Sequence, residues 1–231
     1  MTAHKQFIRT GMTLLACAAL AGAFAAPAPA APAAPAEAAP AEATSAPGLA
    51  TFEAMGPAAE LGDEALRALL APLAVRSTSG SFIERRSVPG FPKPMVTEGF
   101  FRLAGDVLRW EAARPFPSLM TVSPEGVVIE AAGERQTLSA AEVPAAGRIA
   151  ELLTGVLSGR VEALREFFEL RAREAGGTVA LAARPRAQAL AGVVKEMRAR
   201  GSAARGVEAI ELEVPDGGLT AIELRAEQIE R

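Results

Sequence analysis

Three side-chain chemistries are scarce in this chain: its 231 residues include no tyrosine, one cysteine and one histidine. The cysteine is Cys17 and the histidine is His4, and both fall within the first 26 residues. Those residues read as a secretory signal peptide (1–26). Lys5 and Arg9 lie in a short polar start, an apolar run extends from Met12 to Ala25, and small residues around Ala25 and Ala26 suit cleavage. Cleavage leaves a chain without thiol, imidazole or phenol. That excludes disulfides, Cys or His nucleophiles and the usual zinc sites. Ser79, Ser81 and Ser118 then have no imidazole to activate them, and none sits in a Gly-x-Ser-x-Gly elbow. We expect no catalytic residues, no metal and no cofactor.

Positive charge is also short. The net charge of −3 falls to −5 once Lys5 and Arg9 are removed, so the electrostatic footprint of a nucleic-acid binder is missing. The apolar run from Met12 to Ala25 is shorter than the about 20 residues a membrane span needs, and no longer run follows. The expected location is the periplasm, as a soluble monomer. Leu14-Leu15-Ala16-Cys17 loosely follows the box at which bacterial lipoproteins are cut and acylated, but Leu15 fits it poorly, and an apolar residue inside the signal is the preferred reading of Cys17.

Residues 27–50 are almost wholly Ala and Pro, with Glu37 and Glu42 as the only charges. Such a segment builds no core and favours extended polyproline II; we read it as a linker with a reach of roughly 60 to 70 Å. The folded domain is then 51–231.

Within that domain hydrophobic alternation dominates, most clearly from Gly99 to Ile129, which holds the only tryptophan, Trp110. A two-residue turn at Gly105-Asp106 sets Leu103 opposite Leu108 and Phe101 opposite Trp110 on one apolar face, with Arg102, Arg109 and Glu111 on the other. A one-residue slip would turn that apolar row into water, so the register is well specified.

Helical spacing appears at 61–75, where Asp63 is the expected cap and Pro72 the expected bend or stop, and at 145–165, interrupted by Ser158-Gly159. The remainder reads as strands from Ser79–Val88 through the segment starting at Leu219, joined by turns too short for anything but antiparallel pairing. Glu84, Glu98, Glu111, Glu211, Glu213 and Glu223 are assigned to the solvated face. A sheet of that size curls. The fold class is therefore α+β, an incomplete, half-open antiparallel β-barrel of about 10–11 strands with a helical lid.

In this order of elements the chain resembles the LolA and LolB superfamily of bacterial lipoprotein carriers. The resemblance rests on a helix followed by SGSFIE, the core FFRLAGDVLRWEAARPFPSLMTVSPEGVVI, the helical lid, VEALREFFELRARE, and the ARPR turn before VVKEMRAR. It implies that Phe101, Leu103, Leu108 and Trp110 line an acyl-chain cavity, joined by Phe82, Phe168 and Leu170 either as lining or as core beneath the helices. It also implies a lipoprotein or other acylated lipid as cargo, an inner-membrane donor and an outer-membrane acceptor. The chain departs from the family at the hairpin. The carriers commonly have Arg-Pro there, the arginine helping to hold the lid, and this chain has Ala104-Gly105. Two other readings stay open: a different acyl cargo such as a pigment or glycolipid, and a protein-binding sensor or scaffold module whose cavity its own side chains fill.

Overall fold

The computed structural model describes residues 49–55, 62–160 and 162–231. The signal peptide, Cys17, His4, most of the linker and Leu61 lie outside the described residues.

Eleven strands form one antiparallel sheet: β1 (Ser77–Ser87), β2 (Met95–Ala104), β3 (Val107–Arg114), β4 (Ser118–Ser123), β5 (Gly126–Ala131), β6 (Glu134–Ser139), β7 (Phe168–Ala175), β8 (Thr178–Pro185), β9 (Glu196–Ser202), β10 (Gly206–Glu213) and β11 (Leu219–Glu230). Their spatial order is β6-β5-β4-β3-β2-β1-β11-β10-β9-β8-β7. The first six strands walk outward from β1 to one edge. The next five start at the opposite edge and walk inward until β11 pairs with β1. β6 and β7 are the two edges and do not pair, so the barrel stays half-open, as the alternation predicts.

Three α-helices accompany the sheet among the described residues: α1 (Asp63–Leu70), α2 (Pro144–Ser158) and α3 (Gln188–Ala191). Helix α1 is shorter than its periodicity predicts. It passes at Leu70 into a 3₁₀ turn, Ala71–Leu73, because Pro72 cannot continue the α ladder. Gly62, not Asp63, is its N-cap; Asp63 occupies the first turn, where a carboxylate complements the helix dipole. Helix α2 starts with Pro144 in its first turn and stops at the predicted point, with Gly159 at φ +70 as a left-handed C-cap. A Cβ on Gly159 would lie 2.7 Å from the backbone of Leu73 and Ala74, so only glycine lets the end of α2 meet the end of α1. Helix α3 spans four residues, too few for a periodic signal, and the sequence reading lacks it.

One face of the sheet is sealed by α1 and α2. Leu66 and Leu70 of α1, with Ile149, Leu152 and Val156 of α2, are at most 3% exposed and join the inward-facing residues in one apolar cluster. The two-residue turn predicted at Gly105-Asp106 is present, with Gly105 at φ +59, and β2 and β3 take the expected register.

The carboxylate assignment needs two corrections. Glu84 is 3% exposed and shares the inner face with Phe82, since residues i and i+2 of a strand point the same way. Glu211 does face outward, but at 8% exposure it is buried beneath residues 49–55, whose Leu49 N–H donates to its carboxylate at 3.2 Å.

Candidate functional site: the lidded inner face

The hairpin of β2 and β3 builds one wall of the inner face. Leu103 pairs with Leu108 and Phe101 with Trp110; Met120 of β4 continues the Trp110 row, and Ile129 of β5 extends it. Phe82 reaches this cluster from β1, on the far side of β2. Its cross-strand partner is Gly99, and its ring passes over that position to stack on Trp110, with centroids 4.0 Å apart and planes 25° from parallel. Phe101 meets the same indole at 6.1 Å.

Six of the seven predicted lining residues, Phe82, Phe101, Leu103, Leu108, Trp110 and Phe168, are at most 6% exposed. Leu170 is half-buried and packs against the same cluster. Phe168 and Leu170 belong to the edge strand β7, far across the sheet from the hairpin, so the structure gathers the aromatic trio but places this pair on the opposite wall.

A cleft of about 330 Å³ opens between α2 and the β4–β5 turn. Val122, Pro124, Ala150, Thr154 and Leu164 line it. Val122 is the cross-strand partner of Leu108, so the floor of the cleft adjoins the predicted lining row. Asp106 and Arg160 stand at its rim and form an ion pair at 3.1 Å, joining the hairpin tip to the residue that follows the C-cap of α2. The acid is on the hairpin and the base beside the helix. Sequence reading missed this pair because its partners are 54 residues apart.

Further contacts tie the lid together. The Val75 N–H donates to the Ser158 carbonyl at 3.0 Å. Arg165, in the 3₁₀ turn Glu162–Glu166, pairs with Asp63 of α1 at 2.6 Å, and the Arg148 guanidinium of α2 lies 4.0 Å from the ring centroid of Phe167.

Among the described residues Glu84 is the one carboxylate buried on the inner face. Burial pushes its pKa up to about 7, and the charge of Arg86 offsets only part of that.

A second, wider groove of about 750 Å³ crosses the outer face over β2, β1, β11 and β10. Ile83, Phe100, Arg85, Arg200 and Arg225 line it, and of the predicted residues only Phe82 borders it. Among the described residues no cluster of three His, Cys, Asp or Glu side chains is placed to hold a metal, and no helix is long and apolar enough to cross a membrane.

No protein-family model and no curated relative matches the chain. Solved structures to which it is similar include a LolA superfamily protein from Nitrosomonas europaea, at 7% identity over 73% of this chain and 92% of that one, with a TM-score of 0.39. A DUF1329 family protein from Desulfovibrio piger aligns at 11% identity over 71% and 92%, with a TM-score of 0.38. The lipoprotein LppX of Mycobacterium tuberculosis aligns at 12% identity over 73% and 99%, with a TM-score of 0.35. LolA superfamily proteins are thus among the structures this chain is similar to.

Proposed function

We propose that the protein is a periplasmic carrier that shields the acyl chains of a lipoprotein or another lipid between the inner face of its sheet and helices α1 and α2, and passes them toward the outer membrane. The observation that carries this reading is the cleft beside Leu108 and Val122, apolar at its floor and rimmed by a single exposed ion pair between helix and hairpin. At 330 Å³ the cleft is near the lower end of the range for small-molecule pockets, which suits a closed state that widens as α2 moves. Each buried methylene is worth ~0.8 kcal/mol, so a full chain gains something approaching 10 kcal/mol before ordering costs. Loading is then easy and release is the difficult step, which assigns the opening of the lid to delivery. Phe82, Phe101, Leu103, Leu108, Trp110, Phe168 and Leu170 are the proposed chain-contacting residues.

Native mass spectrometry of protein purified from its own host tests the proposal, together with titration of a fluorescent fatty-acyl probe. A bound lipid mass and saturable probe binding are expected; an empty protein that binds no probe overturns it. The close burial of Phe101, Leu103 and Leu108 favours a second reading, a docking module with a filled interior, and that same empty result is its signature. Rescue of cells depleted of a lipoprotein carrier separates lipoprotein cargo from a glycolipid or pigment.

A further inference from the structure

The outer face of β7, β8 and β9 holds a second built site. Residues 49–55 lie across it, and Phe52 is their only side chain buried to 2%. The phenyl ring sits among guanidinium groups, 3.8 Å from that of Arg171 and 4.5 Å from that of Arg184. Its backbone is read on both sides. The Phe52 N–H donates to Glu196 Oε1 at 2.9 Å, and Arg171 Nη1 donates to the Phe52 carbonyl at 2.9 Å. Arg184 holds Glu196 Oε2 through Nε at 3.0 Å and Nη2 at 2.7 Å, and the same Nη2 pairs with Glu53. Burial works against the Arg184 charge, but bonds to Glu53 and Glu196 outweigh it and hold the guanidinium pKa above its ordinary value; the Arg184 bond likewise holds the Glu53 carboxyl below its own.

This is an expensive way to cover a solvent-side sheet face. Glu196 is 2% exposed and Arg198 7%, and Arg198 stands 3.1 Å from Glu211 and 3.7 Å from Glu196. A charge network sealed under a short strap gains less than an apolar patch of equal area would, whereas it discriminates sharply among the segments that can complete it. Between them Arg171, Arg184 and Glu196 match the aromatic ring, the backbone N–H and C=O, and the acid that follows. In sequence the strap is close to the lid: α1 begins at Asp63, eight residues after Met55.

We propose that this clamp is a peptide-binding site for a turn-forming segment in which an aromatic residue precedes an acidic one, the conformation that Thr51–Met55 adopts here through the Met55 N–H bond to the Thr51 carbonyl at 3.1 Å. Here Phe52 and Glu53 occupy it in cis. A partner protein presenting such a segment exchanges with the strap and frees the N-terminal tether of α1. The last step rests on the reading of α1 as part of the lid; the binding step does not.

The test uses the whole mature chain and a fluorescent peptide of residues 49–55, with anisotropy for binding and amide hydrogen exchange of residues 63–70 for release. A Phe52→Ala chain, its clamp vacated, should bind the peptide at least tenfold more tightly than the unaltered chain. A peptide with alanine for the phenylalanine should bind at least tenfold more weakly, and Arg184→Ala should remove binding while Trp110 fluorescence stays native. Excess peptide should raise exchange in α1 of the unaltered chain several-fold. If Phe52→Ala does not fold, Phe52→Leu keeps the bulk and removes the ring. A folded vacated chain that ignores the peptide overturns the site. Binding without faster exchange in α1 overturns the coupling, and concentration-dependent dimers assign the clamp to a second copy and overturn the partner. Acyl-probe binding is scored separately: its loss with peptide effects intact removes the carrier reading and leaves the clamp.

Discussion

Phe82 and Trp110 stack at 4.0 Å although their strands are not neighbours; β2 runs between them, and the ring of Phe82 crosses it at Gly99. A Cβ on Gly99 would come within 2.8 Å of that ring and 1.9 Å of the Glu111 carbonyl oxygen. Gly99→Ala should therefore destabilise the fold by about 3 kcal/mol, in the range of severe core lesions. Phe82→Ala, which removes the ring instead, should cost about 3–5 kcal/mol. Denaturant unfolding followed by the fluorescence of the single tryptophan reads both, and a loss below about 1 kcal/mol for each would refute the packing argument.

The ion pair between Asp106 and Arg160 is exposed, its side chains retaining 71% and 54% of their accessible surface. Such pairs contribute about 1 kcal/mol or less to stability. Asp106→Ala or Arg160→Ala should leave the unfolding midpoint nearly unchanged yet speed the uptake and release of an acyl probe several-fold. A double-mutant cycle on those rates locates the coupling. Uptake kinetics equal to those of the unaltered chain would show that this contact does not gate the cleft.

Thr154 lines the same cleft and is half-buried on α2. Thr154→Trp should fill the cleft, weaken acyl-probe binding about tenfold, equivalent to ~1.4 kcal/mol, and leave secondary structure intact. Unchanged affinity in a folded variant would place the acyl chain elsewhere.

Glu84 gives stability a pH dependence of known sign. Its folded pKa of about 7 lies above the ordinary 4.5, so the folded state binds the extra proton. Its contribution is fully favourable below pH 4.5 and is lost as pH rises through 7. The total is on the order of 3 kcal/mol. Glu84→Gln should flatten stability across that window and make the protein the more stable of the two at pH 8. Unfolding midpoints measured at pH 5 and pH 8 decide it, and parallel pH profiles for the two proteins would refute it.

The hairpin was legible because a two-residue turn fixes register locally: Gly105-Asp106 alone sets Phe101 against Trp110 and Leu103 against Leu108. The stacking of Phe82 was not, since it depends on the register of β1 against β2 and on one missing methyl group at Gly99. Glu84 was misassigned by residue type. Its parity with Phe82 already placed it inside, and charge overrode period in the reading. The clamp around Phe52 carried no signal at all. Residues 49–55 lack periodicity, and their hydrogen-bond partners Arg171, Glu196 and Glu211 lie 119, 144 and 162 residues away.

The pairing of β1 with β11 bears on how the molecule comes into being. Among the described residues the first strand sits at the middle of the sheet, between β2 and β11, Leu219–Glu230. A chain emerging amino-terminus first therefore holds two separate meanders, each with an unpaired central edge, until the twelve residues of β11 arrive. The carboxy-terminal strand works as a zip fastener. A ribosome that stops before Leu219 releases two half-sheets with sticky edges in place of a slightly shorter copy of the same fold.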